Sequence, residues 1–462
     1  MLRREASPVE VLEAHLDHAE KINGGLNAIV TFAPDAGERA RAAERALMRG
    51  ADLPSLLGLP VTIKDTIDVA GLRATSGSLV RANHIPQHDA PAVARLRRAG
   101  AIVFGKTNVS EMALDYSAEN AIFGRTVNPH DAALTPGGSS GGCAAAVSAC
   151  LTPVSLGSDL VGSIRIPAHF CGVVGLKPSA GSVPVAGHCP PTIGPFALGA
   201  NLGPLARRVD DLALLFEVLR IDHTGKRRDL EAPFTAEAAV DTWRSQKLRV
   251  AWYADDGVTP VTSETRLAVQ AAAGALADAG FIIEEARPPG VNRAPDLWLA
   301  LFSGAVRRML REAYREREDE AGPSVRVLLE RPEAASVDQL GNFFDAWMER
   351  DVLRDELDRW MKRRPLLVAP VGAVPAFPHG ARKVIIGEQG IGAFRAFSYA
   401  QTFNVFGLPV VTVPAGRSRE GLPIGVQVIG RAHEEEVVFA AARIVETALG
   451  GWQPPVISVS TA

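Results

Sequence analysis

The chain has 462 residues, 47% of them hydrophobic and 22% charged, an ordinary globular composition with enough apolar material for a large core. A formal net charge of −3 and an aromatic content of 6% give neither the basic footprint of a nucleic-acid or acidic-membrane binder nor the stacking platforms of a single-strand binder. Length is compatible with two or three average domains or with one large α/β unit.

No apolar h-region follows Met1-Leu2-Arg3-Arg4-Glu5, and no run of about 18 apolar residues occurs, so neither a signal peptide nor a membrane span is expected and a cytoplasmic protein is the default. Ser7-Pro8-Val9-Glu10 is a capping box with proline at the first helical position. The helix it opens has Leu12, Leu16, Ala19 and Ile22 at helical spacing and is expected to stop at Gly24-Gly25. His15 and His18 lie on it with no partner pattern. A second helix is expected at about 36–49, ended by Gly50. Val61 and Ile63 then mark a short buried strand that ends on Lys64, where desolvation would push an ammonium group toward neutrality unless the side chain snorkels to water. A helix at 89–98 and an apolar strand at 101–105 continue the alternation of an α/β sheet.

Thr135-Pro136-Gly137-Gly138-Ser139-Ser140-Gly141-Gly142 is a tightly turned loop that delivers two hydroxyls to one place, directly before the helix-prone Cys143-Ala144-Ala145-Ala146-Val147. Such a loop serves either side-chain chemistry or anion binding by its N–H groups. A buried strand at 151–157 leads into Ser158-Asp159-Leu160-Val161-Gly162-Ser163-Ile164-Arg165-Ile166-Pro167, a second small-residue loop carrying a serine. From about 225 to 400 the character changes, with a strand at 247–252, a helix at 263–279, a strand at 281–283 and charged helices at 304–321 and 336–362. Charges at 315–320 read as a solvated helix face. Strands at 366–371, 409–414 and 425–430 and a helix at 433–449 restore the α/β pattern. Cys143, Cys150, Cys171 and Cys189 form no Cys-x-x-Cys pair and have no histidine at metal-ligand spacing, so they are expected as small buried or half-buried thiols.

Lys64, Ser139 with Ser140, and Ser163 therefore stand on three loops at strand or helix ends. Amide cleavage needs a nucleophile, a group to take its proton and donors for the oxyanion. Neither Gly-x-Ser-x-Gly nor His-Glu-x-x-His occurs, and a desolvated lysine is the other base that activates serine. Spacing alone does not join the three.

Gly137-Gly138-Ser139-Ser140-Gly141-Gly142, then Asp159-x-x-Gly-Ser-x-Arg-x-Pro-Ala to 168, Cys171-Gly172 and Gly175-Leu176-Lys177-Pro178 resemble the amidase signature family. The resemblance runs through most of 7–220 and 365–450, including Gly105-Lys106-Thr107-Asn108 and Gly203-Pro204-Leu205-Ala206-Arg207, and leaves the middle unmatched. It implies one large α/β domain over 1–462, a twisted mixed sheet covered by helices on both faces, with a variable pocket region at about 225–400. It also implies that Ser163 is the nucleophile, Ser139 the bridging serine after a cis Gly138–Ser139 peptide, and Lys64 the base. The oxyanion loop is then Leu160, Val161, Gly162 and Ser163. Val161 stands where the pattern has glycine, which would be strained at positive φ. Ser140 is expected to brace the loop, and Asp159 and Arg165 to pair. No cofactor or metal is implied. The expected partner is a small-molecule amide, with no nucleic acid and no membrane, and a homodimer is left open.

Three functions follow: a stand-alone amidase; the glutamine-hydrolysing A subunit of a tRNA-dependent amidotransferase; and a phosphate-binding protein built on the glycine loop. The stretch Ser182-Val183-Pro184-Val185-Ala186-Gly187-His188-Cys189-Pro190-Pro191 departs from the second, and the missing Gly-Lys-Ser/Thr ending departs from the third. Trp298, Leu299, Leu301 and Phe302 form either an apolar pocket wall, favouring aryl or medium-chain acyl amides, or the core face of a helix.

Overall fold

The computed structural model describes residues 5–50, 53–221, 249–330 and 339–457. Among the described residues, eleven strands form one mixed sheet. From edge to edge the order is Ile29–Phe32, Ile102–Thr107, Pro60–Lys64, Val154–Asp159, Asn201–Ala206, Val174–Lys177, Val410–Arg417, Pro423–Gly430, Leu366–Pro370, Arg249–Trp252 and Ile282–Glu285. The block from Val154–Asp159 to Leu366–Pro370 is antiparallel throughout. Parallel pairs flank it on both sides. Most of these strands are buried from end to end, as their near-continuous apolar runs require.

The short helices Gly141–Ser148 and Arg165–Cys171 are buried at every position and pack on each other. Each follows one of the two serine loops, so each loop ends on a fully enclosed support. Helices Ser263–Asp278 and Glu435–Leu449 cover the strand Val410–Arg417. No helix among the described residues is long and apolar enough to cross a membrane.

Several boundaries differ from the sequence expectation. The capping box forms in both halves, with Glu10 N–H on Ser7 Oγ at 3.2 Å and Ser7 N–H on Glu10 Oε2 at 2.7 Å. Its helix, however, runs through Gly24-Gly25 to Leu26, because buried Leu26 anchors the last turn and Asn27 takes the left-handed cap at φ 54°. The strand Ile29–Phe32 that follows was not anticipated: four residues, with only Ile29 buried, carry too little periodicity. His15 and His18 do have partners, the Cys150 and Ala149 carbonyls at 3.2 and 2.9 Å.

The charged helix expected at 304–321 lies instead at Ala294–Ala313, where Leu297, Trp298, Leu301, Phe302, Val306 and Leu310 make the buried stripe. The charged run after it is mostly turn and a short 3-10 segment, with Arg317 pairing Glu320 in solvent. The second charged helix spans Gln339–Met361; positions 336–338 of the expected helix, and Lys247 and Leu248 of the expected strand, lie outside the described residues.

Candidate active site

Lys64 ends a strand whose five residues are all buried. The neighbouring strand runs parallel with Ile63 opposite Leu156, so both strands finish on the same side and Lys64 lands beside Ser158. That is the carboxyl edge at which open α/β sheets bind ligands. Lys64 Nζ lies 2.7 Å from Ser139 Oγ and 2.9 Å from Ser158 Oγ. Burial lowers its pKa to about 7, against the opposing pull of Asp159. The side chain does not snorkel to water.

The Gly138–Ser139 peptide is cis. Gly138 sits so close to the chain at Ser117 that a Cβ would stand 2.1 Å from the Ser117 carbonyl oxygen. Ser140 braces the two serine loops against each other. Its N–H donates to the Ser163 carbonyl at 3.1 Å, its hydroxyl donates to the Ser158 carbonyl at 3.1 Å, and it accepts from Ser158 N–H at 3.3 Å.

Asp159 organises the loop that ends at Ser163. Its carboxylate accepts from Gly162 N–H at 2.9 Å, Ile164 N–H at 3.1 Å, Asn404 Nδ2 at 3.0 Å and Arg165 Nη2 at 2.9 Å. Burial alone would raise its pKa, but Arg165 and these donors hold it far below the usual carboxylate range. Arg165 is itself buried and also donates to Gln427 and the Ala400 carbonyl, so the pair is fully ligated.

The loop carbonyls are claimed from outside. Leu160 accepts from Trp298 Nε1 at 3.0 Å, and Val161 accepts from Tyr116 OH at 3.0 Å. Gly162, at φ 99°, carries the left-handed conformation and Val161 does not, so the valine is unstrained. The Gly162 N–H, expected as an oxyanion donor, is already committed to Asp159. Those of Leu160, Val161 and Ser163 donate to no protein acceptor among the described residues.

A cavity of about 740 Å³ exposes Ser139, Ser158, Ser163 and His188 together. Leu114, Tyr116, Val161, Phe196, Trp298 and Phe394 give it apolar walls, with Asp115, Arg307 and Arg382 also on its lining. Trp298 and Tyr116 flank Phe394, with ring centroids 5.2 and 6.1 Å away. Trp298 and Leu299 reach the cavity, whereas Leu301 and Phe302 are core residues of the same helix.

The structure thus joins Lys64 to Ser139 directly and brings Ser163 to the same cavity; no hydrogen bond joins the Ser139 and Ser163 hydroxyls. Ser158, His188 and Tyr116 are contacts that sequence reasoning did not place, whereas Trp298 was offered as a pocket wall but not as a donor to the Leu160 carbonyl. Ser158 had one available signal, its position beside Asp159 in the motif. His188 had none.

The family model described as Amidase matches residues 10–439, which includes the middle region the motifs leave unmatched. The A subunit of the glutamyl-tRNA(Gln) amidotransferase from Koribacter versatilis (strain Ellin345) is 34% identical over 96% of this chain and 96% of its own. A bacterial aryl acylamidase of the amidase signature enzymes superposes with a TM-score of 0.84 at 27% identity, over 97% of this chain and 94% of that one. A structure reported as an unexpected vestigial protein complex, revealing the origins of an s-triazine catabolic enzyme, gives 0.85 at 28%, over 98% and 97%.

Proposed function

The chain belongs to the amidase signature family, and from that premise we propose that it hydrolyses the C–N bond of a carboxylic amide through a Ser163 acyl-enzyme. The observation that carries this reading is the 2.7 Å contact between desolvated Lys64 and Ser139, beside a cavity that also exposes Ser163. Neutral Lys64 takes the Ser139 proton as Ser139 takes that of Ser163, and Ser163 Oγ attacks the carbonyl carbon. The free N–H groups of Val161 and Ser163, with Leu160, are the donors assigned to the oxyanion. Collapse returns the proton to the leaving nitrogen, releasing amine or ammonia, and water then cleaves the ester by the same relay. Aromatic walls, among them Tyr116, Phe196, Trp298 and Phe394, and a volume in the range of drug-sized ligand sites favour an aryl or other large apolar acyl or amine group. The four cysteines are free thiols, which suits a cytoplasmic setting.

A second reading has its own support. A curated relative at 34% identity is the A subunit of a glutamyl-tRNA(Gln) amidotransferase, matched almost end to end, and further such proteins match at 30–34%. By that reading the substrate is glutamine, the ammonia passes to a partner protein, and the Asp115, Arg307 and Arg382 side chains supply the polar contacts.

A hydrolysis screen over aliphatic, aryl and amino-acid amides, with glutamine included, separates the two. Turnover of aryl or long-chain amides above glutamine supports the first; glutamine preferred over all others supports the second. Full turnover by Ser163→Ala on any of them would sink both.

A further inference from the structure

Besides Ser139, Lys64 contacts Ser158, and a chain of hydrogen bonds continues from there along the cavity lining. Ser158 Oγ is 2.9 Å from Lys64 Nζ and also 2.9 Å from His188 Nε2. The other ring nitrogen, Nδ1, is 2.8 Å from the Pro190 carbonyl oxygen. A carbonyl oxygen only accepts, so Nδ1 carries the proton and, in the neutral ring, Nε2 is left as an acceptor. The hydroxyl that Nε2 faces is then fixed as a donor to it. We propose that His188 is a positioning residue of the proton relay: by holding the Ser158 proton it obliges Ser158 to accept from Lys64, and so reserves the lone pair of neutral Lys64 for Ser139. This inference rests on the relay proposed above.

The alternative orientation shows what is at stake. A neutral lysine has two N–H groups and one lone pair. If Ser158 turned its hydroxyl toward Nζ, it would occupy that lone pair, and Lys64 could only donate to Ser139. With His188 in place the direction is uniform: Ser139 donates to Lys64, Lys64 to Ser158, Ser158 to His188, and His188 to Pro190.

The backbone holds the ring to this task. His188 bridges Ile67, three residues beyond Lys64. On either side of it Asp68 N–H donates to the Gly187 carbonyl and Cys189 N–H to the Thr66 carbonyl, each at 2.8 Å. The segment is therefore laced to the turn that leaves the lysine strand. The ring stays neutral because burial, and then the nearby Lys64, lower its pKa. One edge faces the cavity, so the depression is strongest when an acyl group excludes water there. Lys64 faces Cys143, Asp159 and this imidazole, and only the imidazole acts through a hydroxyl.

An alkyl fluorophosphonate tests this without knowledge of the substrate. Ser163 Oγ bonds phosphorus, fluoride leaves, and the serine proton passes to the relay, so the labelling rate against pH reads the base. His188→Leu should label Ser163 about tenfold more slowly on the plateau. Its acid limb should move to lower pH, because a Ser158 hydroxyl donated to the amine stabilises neutral Lys64. His188→Gln, whose Oε1 accepts the same hydroxyl, should recover the rate to within about threefold. In a Ser158→Ala background, His188→Leu should cost less than about twofold. Labelling of His188→Leu at the parent rate and pH profile overturns the inference alone, as does the same tenfold loss without Ser158. A parent enzyme that is not labelled at Ser163 overturns the relay, and this inference with it.

Discussion

Lys64 gives up the hydration that would hold an ammonium ion and receives in return two serine hydroxyls, Ser139 and Ser158. Activity that needs the neutral amine should rise with pH through about 7 and then level, which a kcat/KM profile on any turned-over amide reads directly. Stability carries the same sign. Between the folded value near 7 and the ordinary lysine value of 10.5, the unfolded chain holds a proton that the folded one lacks, so this residue's contribution rises with pH across that window and is least favourable below it. Lys64→Met keeps the length and removes the charge. It should lower turnover by at least about a thousandfold while leaving the thermal midpoint at pH 6 equal to the parent's or above it. A midpoint lowered by several degrees would mean that the lysine braces the fold rather than serving as a base placed at a cost.

The loop from Asp159 to Ser163 was legible as a motif but not as a geometry. Its residue types announced a serine on a small-residue turn, and only the family resemblance implied that serine as a nucleophile; which residue takes the left-handed conformation, and which N–H groups stay free, depended on contacts hundreds of positions away. Asn404, Gln427 and the Ala400 carbonyl hold Arg165, and Arg165 holds Asp159. The glycine at 162 and the valine at 161 should therefore respond to very different degrees. At Gly162, φ is 99° and an added Cβ would stand 2.7 Å from Ala400 Cβ and from Ile166 Cδ1. Gly162→Ala should cost about 2 kcal/mol or more in denaturant titration and reduce turnover at least about a hundredfold. Val161→Gly meets no such constraint and keeps its N–H. It should cost about 1 kcal/mol in chain entropy, with kcat/KM falling less than about tenfold. Equal losses in the two variants would contradict this division of labour.

The larger architecture followed from alternating strands and helices, while the middle of the chain was misread where charge hid its apolar stripe. The helix Ala294–Ala313 was placed ten residues late because Arg307, Arg308, Arg311 and Glu312 dominate its second half; only burial shows that Leu297 to Leu310 make the inward face. This middle region is stitched to the segment carrying Glu111 and Asp115 and to one of the serine loops. Tyr314 OH donates to Glu111 at 2.6 Å, Gly322 N–H donates to the same carboxylate at 2.8 Å, and Ser324 Oγ donates to Asp115 at 2.7 Å. Most directly, Trp298 both walls the cavity and donates its indole N–H to the Leu160 carbonyl on the proposed nucleophile loop. Pocket shape and chemistry should therefore not separate cleanly. Trp298→Phe keeps an apolar ring and loses one hydrogen bond worth about 1 kcal/mol, so kcat should fall about fivefold with KM little changed. Trp298→Ala also opens the wall, and its KM for an aryl amide should rise about tenfold beyond that loss, with a smaller rise for a short aliphatic amide. If Trp298→Phe left kcat at the parent value while Trp298→Ala changed KM alone, the tryptophan would be wall only, and the middle of the chain would act on the substrate without acting on the loop.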